Sequence, residues 1–138
     1  MKEAQFLQQV TRVDAVGGAI TRFIRADESD FDGFGEVYFT SIDPGAVKAW
    51  RRHSSASLCL TVPYGEVLFA LITEAGIIEF SLCSERPERL RIPSGIWFGF
   101  SGLAAHTSVV CSFSNIPHDP AEVERRAPED FQFNWSRP

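Results

Sequence analysis

The chain has 138 residues, of which 44% are hydrophobic, and its formal net charge is -5. This length is sufficient to bury one core, and we expect a single domain over residues 1–138. The net negative charge argues against a nucleic-acid-binding protein, which needs a basic face. No stretch approaches the length of a membrane span, and the N-terminus lacks the apolar stretch of a signal peptide. We therefore expect a cytoplasmic protein that binds neither nucleic acid nor membrane.

Strand patterns recur along the chain at near-even spacing. "AITRFIRA" alternates apolar and polar residues, "DESDFDGFG" is a turn-rich break, and "EVYFTSI" predicts a strand that "DPG" ends. "PYG" lies between the apolar runs "SLCLTV" and "EVLFALI" and predicts a tight hairpin. "IIEFSLC", "LRIP" and "TSVVCSFSN" predict further strands, and "SGIWFGFSGL" combines aromatics with glycines that permit sharp bends.

The sequence changes character beyond Asn115. Asp119 is predicted to cap one helical turn that begins at Pro120, and the aromatic tail that follows is expected to pack back onto the body. Eight or nine short strands with little helix predict an all-β sandwich or barrel. Several strands are apolar at nearly every position. This predicts that both of their faces are buried, in a closed barrel or beneath a second subunit, and we expect a homodimer.

Cysteines and histidines give no sign of a metal site. The cysteines share apolar, strand-like surroundings and are expected to be reduced core residues: Cys59, Cys83 and Cys111. The histidines are scattered along the chain: His53, His106 and His118. Because a metal site needs several ligands close together, we expect no bound metal.

Three stretches carry a resemblance to a known family: "GEVYFTSIDPGAVKAWRRH", "IPSGIWFGFSGL" and "SNIPHDPAEVERRAPEDFQFNW". From about Asp32 to Trp135 the chain resembles the dTDP-4-dehydrorhamnose 3,5-epimerase family and its cupin-fold nucleotide-sugar epimerase and isomerase relatives. The resemblance implies a double-stranded β-helix, the jelly-roll cupin barrel, with a short C-terminal helical turn and tail, in a homodimer. It also implies a nucleotide sugar such as a dTDP-4-keto-6-deoxyhexose in the barrel mouth. The implied reaction is proton abstraction next to the 4-keto group, without metal or cofactor.

The strand end "KAWRRH" matches the family's catalytic strand. The resemblance implies that Lys48 grips substrate oxygens and that Trp50 fills a bulky position. Arg51 stands where the family has its base histidine. An arginine stays protonated and cannot act as that base, although it can neutralise a diphosphate or an enolate. His53 matches a second histidine of some relatives. It is expected on the same face as Arg51, about 7 Å further along the strand, as the relocated catalytic base.

Other positions depart from the family pattern. Phe69 falls where epimerases place a carboxylate, and Phe98 replaces a polar residue of the pocket wall. Phe34 falls where many members have an arginine that reaches the neighbouring subunit's nucleotide, and Cys111 lies near the expected acid tyrosine. Tyr38 either faces the pocket or packs in the core with its hydroxyl outward. Tyr38, Phe69 and Phe98 complete the predicted substrate-binding set, which also contains Lys48, Trp50 and Arg51.

Three functions remain open from the sequence. The first is a nucleotide-sugar 3,5-epimerase or ketoisomerase of polysaccharide sugar synthesis, with His53 as base. The second is a catalytically inactive cupin that keeps Lys48 and Arg51 for a sugar nucleotide or another anionic ligand. The third is a structural dimeric partner of another sugar-pathway enzyme. The missing base histidine separates the first from the others, and a phosphate bound near Arg51 would separate the second from the third.

Overall fold

In the computed structural model, which describes residues 5–137, the secondary structure consists almost entirely of antiparallel β-strands. The strands are β1 (Leu7–Gln9), β2 (Thr11–Ala15), β3 (Gly18–Arg22), β4 (Glu36–Ile42), β5 (Val47–His53), β6 (Leu58–Tyr64), β7 (Glu66–Thr73), β8 (Gly76–Cys83), β9 (Glu88–Ile92), β10 (Trp97–Gly102), β11 (Ser108–Ser114) and β12 (Val123–Arg125). Single turns of 3-10 helix cover Pro120–Glu122 and Pro128–Asp130. No helix among these residues is long and apolar enough to cross a membrane.

Two five-stranded sheets enclose one hydrophobic core. The first has the order β1-β9-β6-β11-β4 and the second has the order β12-β5-β10-β7-β8, while β2 and β3 form a separate hairpin. Inward side chains of the two sheets meet in the core, with Leu60 and Leu90 from the first and Phe69 and Leu71 from the second. Each such burial contributes about 1.5–3 kcal/mol. The predicted double-stranded β-helix is confirmed.

The predicted hairpin at "PYG" is wrong. β6 pairs with β9 and β11 in the first sheet, whereas β7 pairs with β8 and β10 in the second. The chain therefore crosses between sheets at Gly65, which has a φ of 90°. A Cβ at this position would lie 2.1 Å from Ser108 Oγ. A tight turn between apolar runs looks the same in sequence whether its strands pair with each other or cross between two sheets.

The chain's own tail covers part of the outer face of the second sheet. Trp50 packs against the rings of Phe131 and Trp135, with centroid distances of 5.4 and 5.3 Å. Arg137 forms an ion pair with Glu79 at 2.8 Å. The predicted return of the aromatic tail is confirmed. The tail thus buries part of the apolar sheet surface that the sequence analysis expected a closed barrel or a second subunit to bury.

The predicted cap of the helical turn is also confirmed, since Asp119 Oδ1 accepts a hydrogen bond from the Ala121 amide at 3.0 Å. This turn begins the return of the chain to the second sheet. Immediately after it, β12 pairs with β5 along the edge of that sheet. The turn therefore determines where Glu122 and Arg125 meet β5.

Candidate active site

A bulge in β5 determines which of its side chains share a cavity. In the pairing with β10, Arg51 lies opposite Phe98 and Ala49 lies opposite Gly99, so that Trp50 has no partner there. The Ala49–Trp50 peptide bond is cis. Because a bulge adds one residue to a strand, it reverses the alternation of the residues that follow. Lys48 and Arg51 therefore line the same cavity although they are three residues apart.

That cavity lies between the two sheets and has a volume of about 80 Å³. Its lining combines apolar side chains with hydroxyls and two cations: Tyr38, Thr40, Lys48, Arg51, Leu58, Leu60, Phe98, Phe100 and Ser112. We call it the inner cavity. Four residues of the predicted set therefore meet here, namely Tyr38, Lys48, Arg51 and Phe98. Of the two orientations that the sequence left open for Tyr38, the structure has the one that faces the pocket.

A second space of about 300 Å³, the outer cleft, adjoins the inner cavity and shares Lys48, Arg51 and two phenylalanines with it. Arg125 of β12 and the following Arg126 complete the cationic part of its lining. Among the described residues, no Asp or Glu lines either space. An apolar cavity with cations and without carboxylates is suited to an anionic ligand.

Burial shifts the pKa of Tyr38 and of Arg51, which both line the inner cavity. Burial raises the pKa of Tyr38, and the charge of Arg51 opposes part of that shift. Burial also lowers the pKa of Arg51, and the charge of Arg125 lowers it further. Tyr38 consequently holds its phenolic proton at neutral pH. Arg51 remains a cation, because guanidinium groups do not lose their proton in proteins.

His53 is buried, lines neither of the two spaces and forms a dyad with Glu122. Its Nδ1 lies 2.6 Å from Glu122 Oε2. Its ring stacks on Phe98 at a centroid distance of 6.2 Å and an interplanar angle of 18°. A carboxylate accepts a hydrogen bond from Nδ1–H, and in that tautomer the neutral ring has its free lone pair on Nε2. That nitrogen is buried and makes no hydrogen bond within residues 5–137.

Glu122 is held as a carboxylate. Its Oε1 accepts hydrogen bonds from the backbone amides of Ser55 and Ala56 at 3.0 and 2.8 Å. Burial alone would raise the pKa of Glu122. The hydrogen bonds from these amides and from the His53 ring outweigh burial and lower that pKa below its usual value of 4.5. A charged partner of this kind fixes the tautomer of the imidazole and stabilises its protonated form.

Two residues of the predicted set lie mainly elsewhere. Trp50 borders the outer cleft, but its ring packs among the tail aromatics, and its Nε1 donates a hydrogen bond to the Pro128 carbonyl at 3.0 Å. Phe69 is fully buried in the core and packs against Phe100 at 5.5 Å. Neither lines the inner cavity. Phe34, which falls where many family members have an arginine, is exposed and packs on Phe113.

Sequence reasoning missed the residues that the returning tail brings to the site. Glu122 and Arg125 follow the predicted turn, but no local pattern indicates that they reach β5. Within residues 5–137 no cluster of three or more His, Cys, Asp or Glu is suited to hold a metal ion. His106 and His118 are exposed. The cysteines are unpaired, with Cys59 and Cys83 buried.

Comparisons with known proteins show what the chain is similar to. A dTDP sugar isomerase from Desulfovibrio desulfuricans G20 is 30% identical, covers 94% of this chain and is itself covered to 88%, with a TM-score of 0.86. The spore coat polysaccharide biosynthesis protein SpsL of Bacillus subtilis is 24% identical over 130 residues, which is 86% of each chain. A dTDP-4-dehydrorhamnose 3,5-epimerase from Elizabethkingia anophelis NUHP1 shares the fold, with a TM-score of 0.78 at 13% identity over 96% of this chain and 81% of its own. No family model matches the chain.

Proposed function

Since the chain belongs to the dTDP-4-dehydrorhamnose 3,5-epimerase-like family of cupin-fold nucleotide-sugar epimerases and isomerases, we propose that it epimerises or isomerises a dTDP-4-keto-6-deoxyhexose for polysaccharide sugar synthesis. The observation that carries this proposal is the His53–Glu122 dyad: Nε2 of His53 has no hydrogen-bond partner within residues 5–137, and the ring stacks on Phe98, which lines both spaces. A general base for a carbon acid needs such a nitrogen, with a carboxylate behind it.

In the proposed reaction, His53 Nε2 removes the proton from the carbon next to the 4-keto group. The electron pair of the broken C–H bond moves to the keto oxygen and forms an enolate. The positive charges of Arg51 and Lys48 stabilise the negative oxygen of the enolate. Glu122 stabilises the imidazolium that His53 becomes.

Tyr38 is the proposed proton donor on the opposite wall of the cavity. It belongs to β4 in the first sheet, whereas His53 belongs to β5 in the second. Because burial raises its pKa, its hydroxyl is protonated and ready to donate. Delivery to the carbon from the face opposite His53 inverts that centre. Solvent then restores the proton of Tyr38 and removes that of His53, and no redox partner is required.

The test is deuterium incorporation from solvent into dTDP-4-keto-6-deoxyglucose, followed by NMR. We expect exchange in the wild type and a rate about 10²–10⁴-fold lower in His53→Ala. The same substitution at the exposed His106 is the matched control and should leave the rate unchanged. Exchange at both carbons next to the keto group indicates a 3,5-epimerase, and conversion to a 3-keto sugar indicates a ketoisomerase. Absence of exchange in the wild type would overturn the proposed chemistry.

A second candidate function is an inactive cupin that binds a sugar nucleotide. The observation that favours it is that Arg51, which the resemblance aligns with the family's base, lines the inner cavity. In this case, ligand resonances broaden in the presence of the protein while no deuterium enters the sugar. Neither exchange nor broadening would favour the third possibility, a structural partner of another enzyme.

We further propose a homodimer that works in the cytoplasm. β4 is an edge strand of the first sheet and carries exposed Val37 and Phe39, which a second copy would cover. The unpaired cysteines are consistent with a reducing compartment. Light scattering should give a dimer mass for the wild type and a monomer mass for Phe39→Asp. A wild-type monomer would contradict the assembly.

A further inference from the structure

Three serines of β11 are buried, and one of them differs from the other two in its surroundings. Ser108 Oγ donates a hydrogen bond to the Glu66 carbonyl at 3.2 Å, and Ser114 Oγ donates one to the Ile116 carbonyl at 2.7 Å. Ser112 is the one of the three that lines the inner cavity. Because a buried hydroxyl needs a hydrogen-bonding partner, we looked for that partner on the cavity wall.

The residue directly opposite Ser112 on the neighbouring strand is Tyr38. The two residues are paired in the register of β11 with β4, and both line the inner cavity. Directly opposed residues of antiparallel strands have Cβ atoms about 4.5–5.5 Å apart, within reach of an aromatic side chain. Burial raises the pKa of Tyr38, and the charge of Arg51 and the hydroxyl of Ser112 both oppose that rise. A hydrogen-bond donor has this effect because it stabilises the phenolate form.

We propose that Ser112 is the positioning residue of Tyr38: its hydroxyl donates a hydrogen bond to the phenolic oxygen and leaves the phenolic hydrogen free to point at the ligand. The inference rests on the proposed function, in which Tyr38 delivers a proton to the enolate carbon. In that step the O–H bond of Tyr38 breaks, the proton joins the carbon, and the electron pair stays on the phenolic oxygen. Ser112 keeps its own proton and stabilises the negative oxygen, since a hydrogen bond to an ionised acceptor is stronger than one to a neutral acceptor.

The first test compares product formation from dTDP-4-keto-6-deoxyglucose with deuterium exchange into the unreacted sugar. Exchange does not require Tyr38, because His53 can return a solvent deuteron to the face from which it took the proton. Ser112→Ala should therefore lower the ratio of product formed to deuterium exchanged at least about tenfold, as expected for a lost hydrogen bond to a charged group. Ser112→Thr keeps the hydroxyl and should restore the ratio. An unchanged ratio in Ser112→Ala would overturn the proposal.

Two controls separate this role from the general effect of removing a buried hydroxyl. Ser114→Ala removes the buried serine two residues further along β11, whose partner is a backbone carbonyl, and should leave the ratio unchanged. If Ser112 acts through Tyr38, then Ser112→Ala should have no further effect on the ratio when Tyr38 is already replaced by Phe. Independent effects of the two substitutions would assign Ser112 to packing and contradict the proposal.

A titration of Tyr38 requires no catalytic activity. The chain has two tyrosines, and the other one, Tyr64, is exposed, so Tyr64→Phe assigns the NMR signals of isotope-labelled tyrosine rings. Ser112→Ala should raise the pKa of Tyr38 above its wild-type value, because the phenolate loses a donor. Ser114→Ala should leave the pKa of Tyr38 unchanged. A pKa of Tyr38 that Ser112→Ala does not raise would overturn the proposed hydrogen bond.

The charged groups that act on Tyr38 are the same in all these proteins. Arg51 and Lys48 line the same cavity from β5, and the charges of Glu36 and Glu122 raise the pKa of Tyr38. The titration therefore reports on the serine hydroxyl, and the two proposals fail separately. A raised pKa without deuterium exchange in the wild type upholds the hydrogen bond and overturns the epimerase. Exchange in the wild type with an unchanged pKa in the alanine variant does the reverse.

Discussion

The imidazole of His53 and the carboxylate of Glu122 lie 2.6 Å apart although 69 positions separate them in the chain. Both side chains are more than nine-tenths buried. The same carboxylate also accepts the amides of Ser55 and Ala56, which follow the end of β5. Glu122 therefore joins the returning tail to the end of β5 and orients the imidazole of the proposed base.

Glu122→Gln should reduce activity and stability together. A neutral amide cannot stabilise the His53 imidazolium, and we expect deuterium exchange to slow at least tenfold. The weakened hydrogen bonds to two amides and one imidazole should lower the free energy of unfolding by about 1–3 kcal/mol, measured by urea denaturation. Glu124→Gln changes an exposed carboxylate on the same segment and should cost less than about 1 kcal/mol. Unchanged exchange in Glu122→Gln would remove Glu122 from the mechanism.

Acid should destabilise the protein partly through Glu122. Its pKa is lower in the folded protein than in the unfolded chain, so the stabilisation is fully present above the unfolded pKa and is lost as pH falls through the folded pKa. We expect the stability difference between wild type and Glu122→Gln to be constant near pH 7 and to shrink below about pH 4.5. Urea unfolding of both proteins across this range measures it. A difference that grows as the pH falls would contradict this sign.

Trp50→Ala should release the tail. Loss of a buried aromatic ring from a packed cluster typically costs about 3–5 kcal/mol. Trp50→Phe keeps an aromatic ring but loses the hydrogen bond to Pro128, and the cost of the missing bond should be about 1 kcal/mol. Limited proteolysis should cleave residues 131–137 faster in Trp50→Ala than in Trp50→Phe. Equal cleavage would show that Trp50 does not hold the tail.

Gly65→Ala should destabilise the crossing between the sheets. The φ of 90° is strained for alanine, and the added Cβ would overlap Ser108. We expect a loss of at least about 2 kcal/mol in urea unfolding. Gly18→Ala is the control, because a Cβ there meets nothing within 4 Å and φ is not positive. A Gly65→Ala protein as stable as Gly18→Ala would mean that this turn relaxes freely.

Local sequence patterns predicted much of the fold, because strand propensity and turn residues act over a few positions. "EVYFTSI" coincides with β4, and Asp119 caps the turn that begins at Pro120. The partners of each strand were harder to predict. β6 and β7 follow each other closely but belong to different sheets, since inward-facing apolar residues suit either wall of the core.

The site shows the same division. The family resemblance implied that Lys48 and Arg51 line the pocket, and both line the inner cavity, but the bulge at Trp50 that brings them there has no local signal. Glu122 and Arg125 were not predicted, because their roles arise from contacts with distant parts of the chain. The functional roles of His53 and Tyr38 stay predictions, to be decided by exchange measurements.

The bulge at Trp50 connects the tail, which packs on the outer surface of the second sheet, to residues that line the inner cavity. The tail binds the Trp50 ring on one side of β5, while Lys48 and Arg51 project from the other. If β5 were regular, two residues with this odd spacing would face opposite sides of the sheet. We therefore expect substitutions in the tail to change the spacing between Lys48 and Arg51 although they lie outside the lining of the inner cavity. In evolution, this would let the chain tune its ligand preference from the outside.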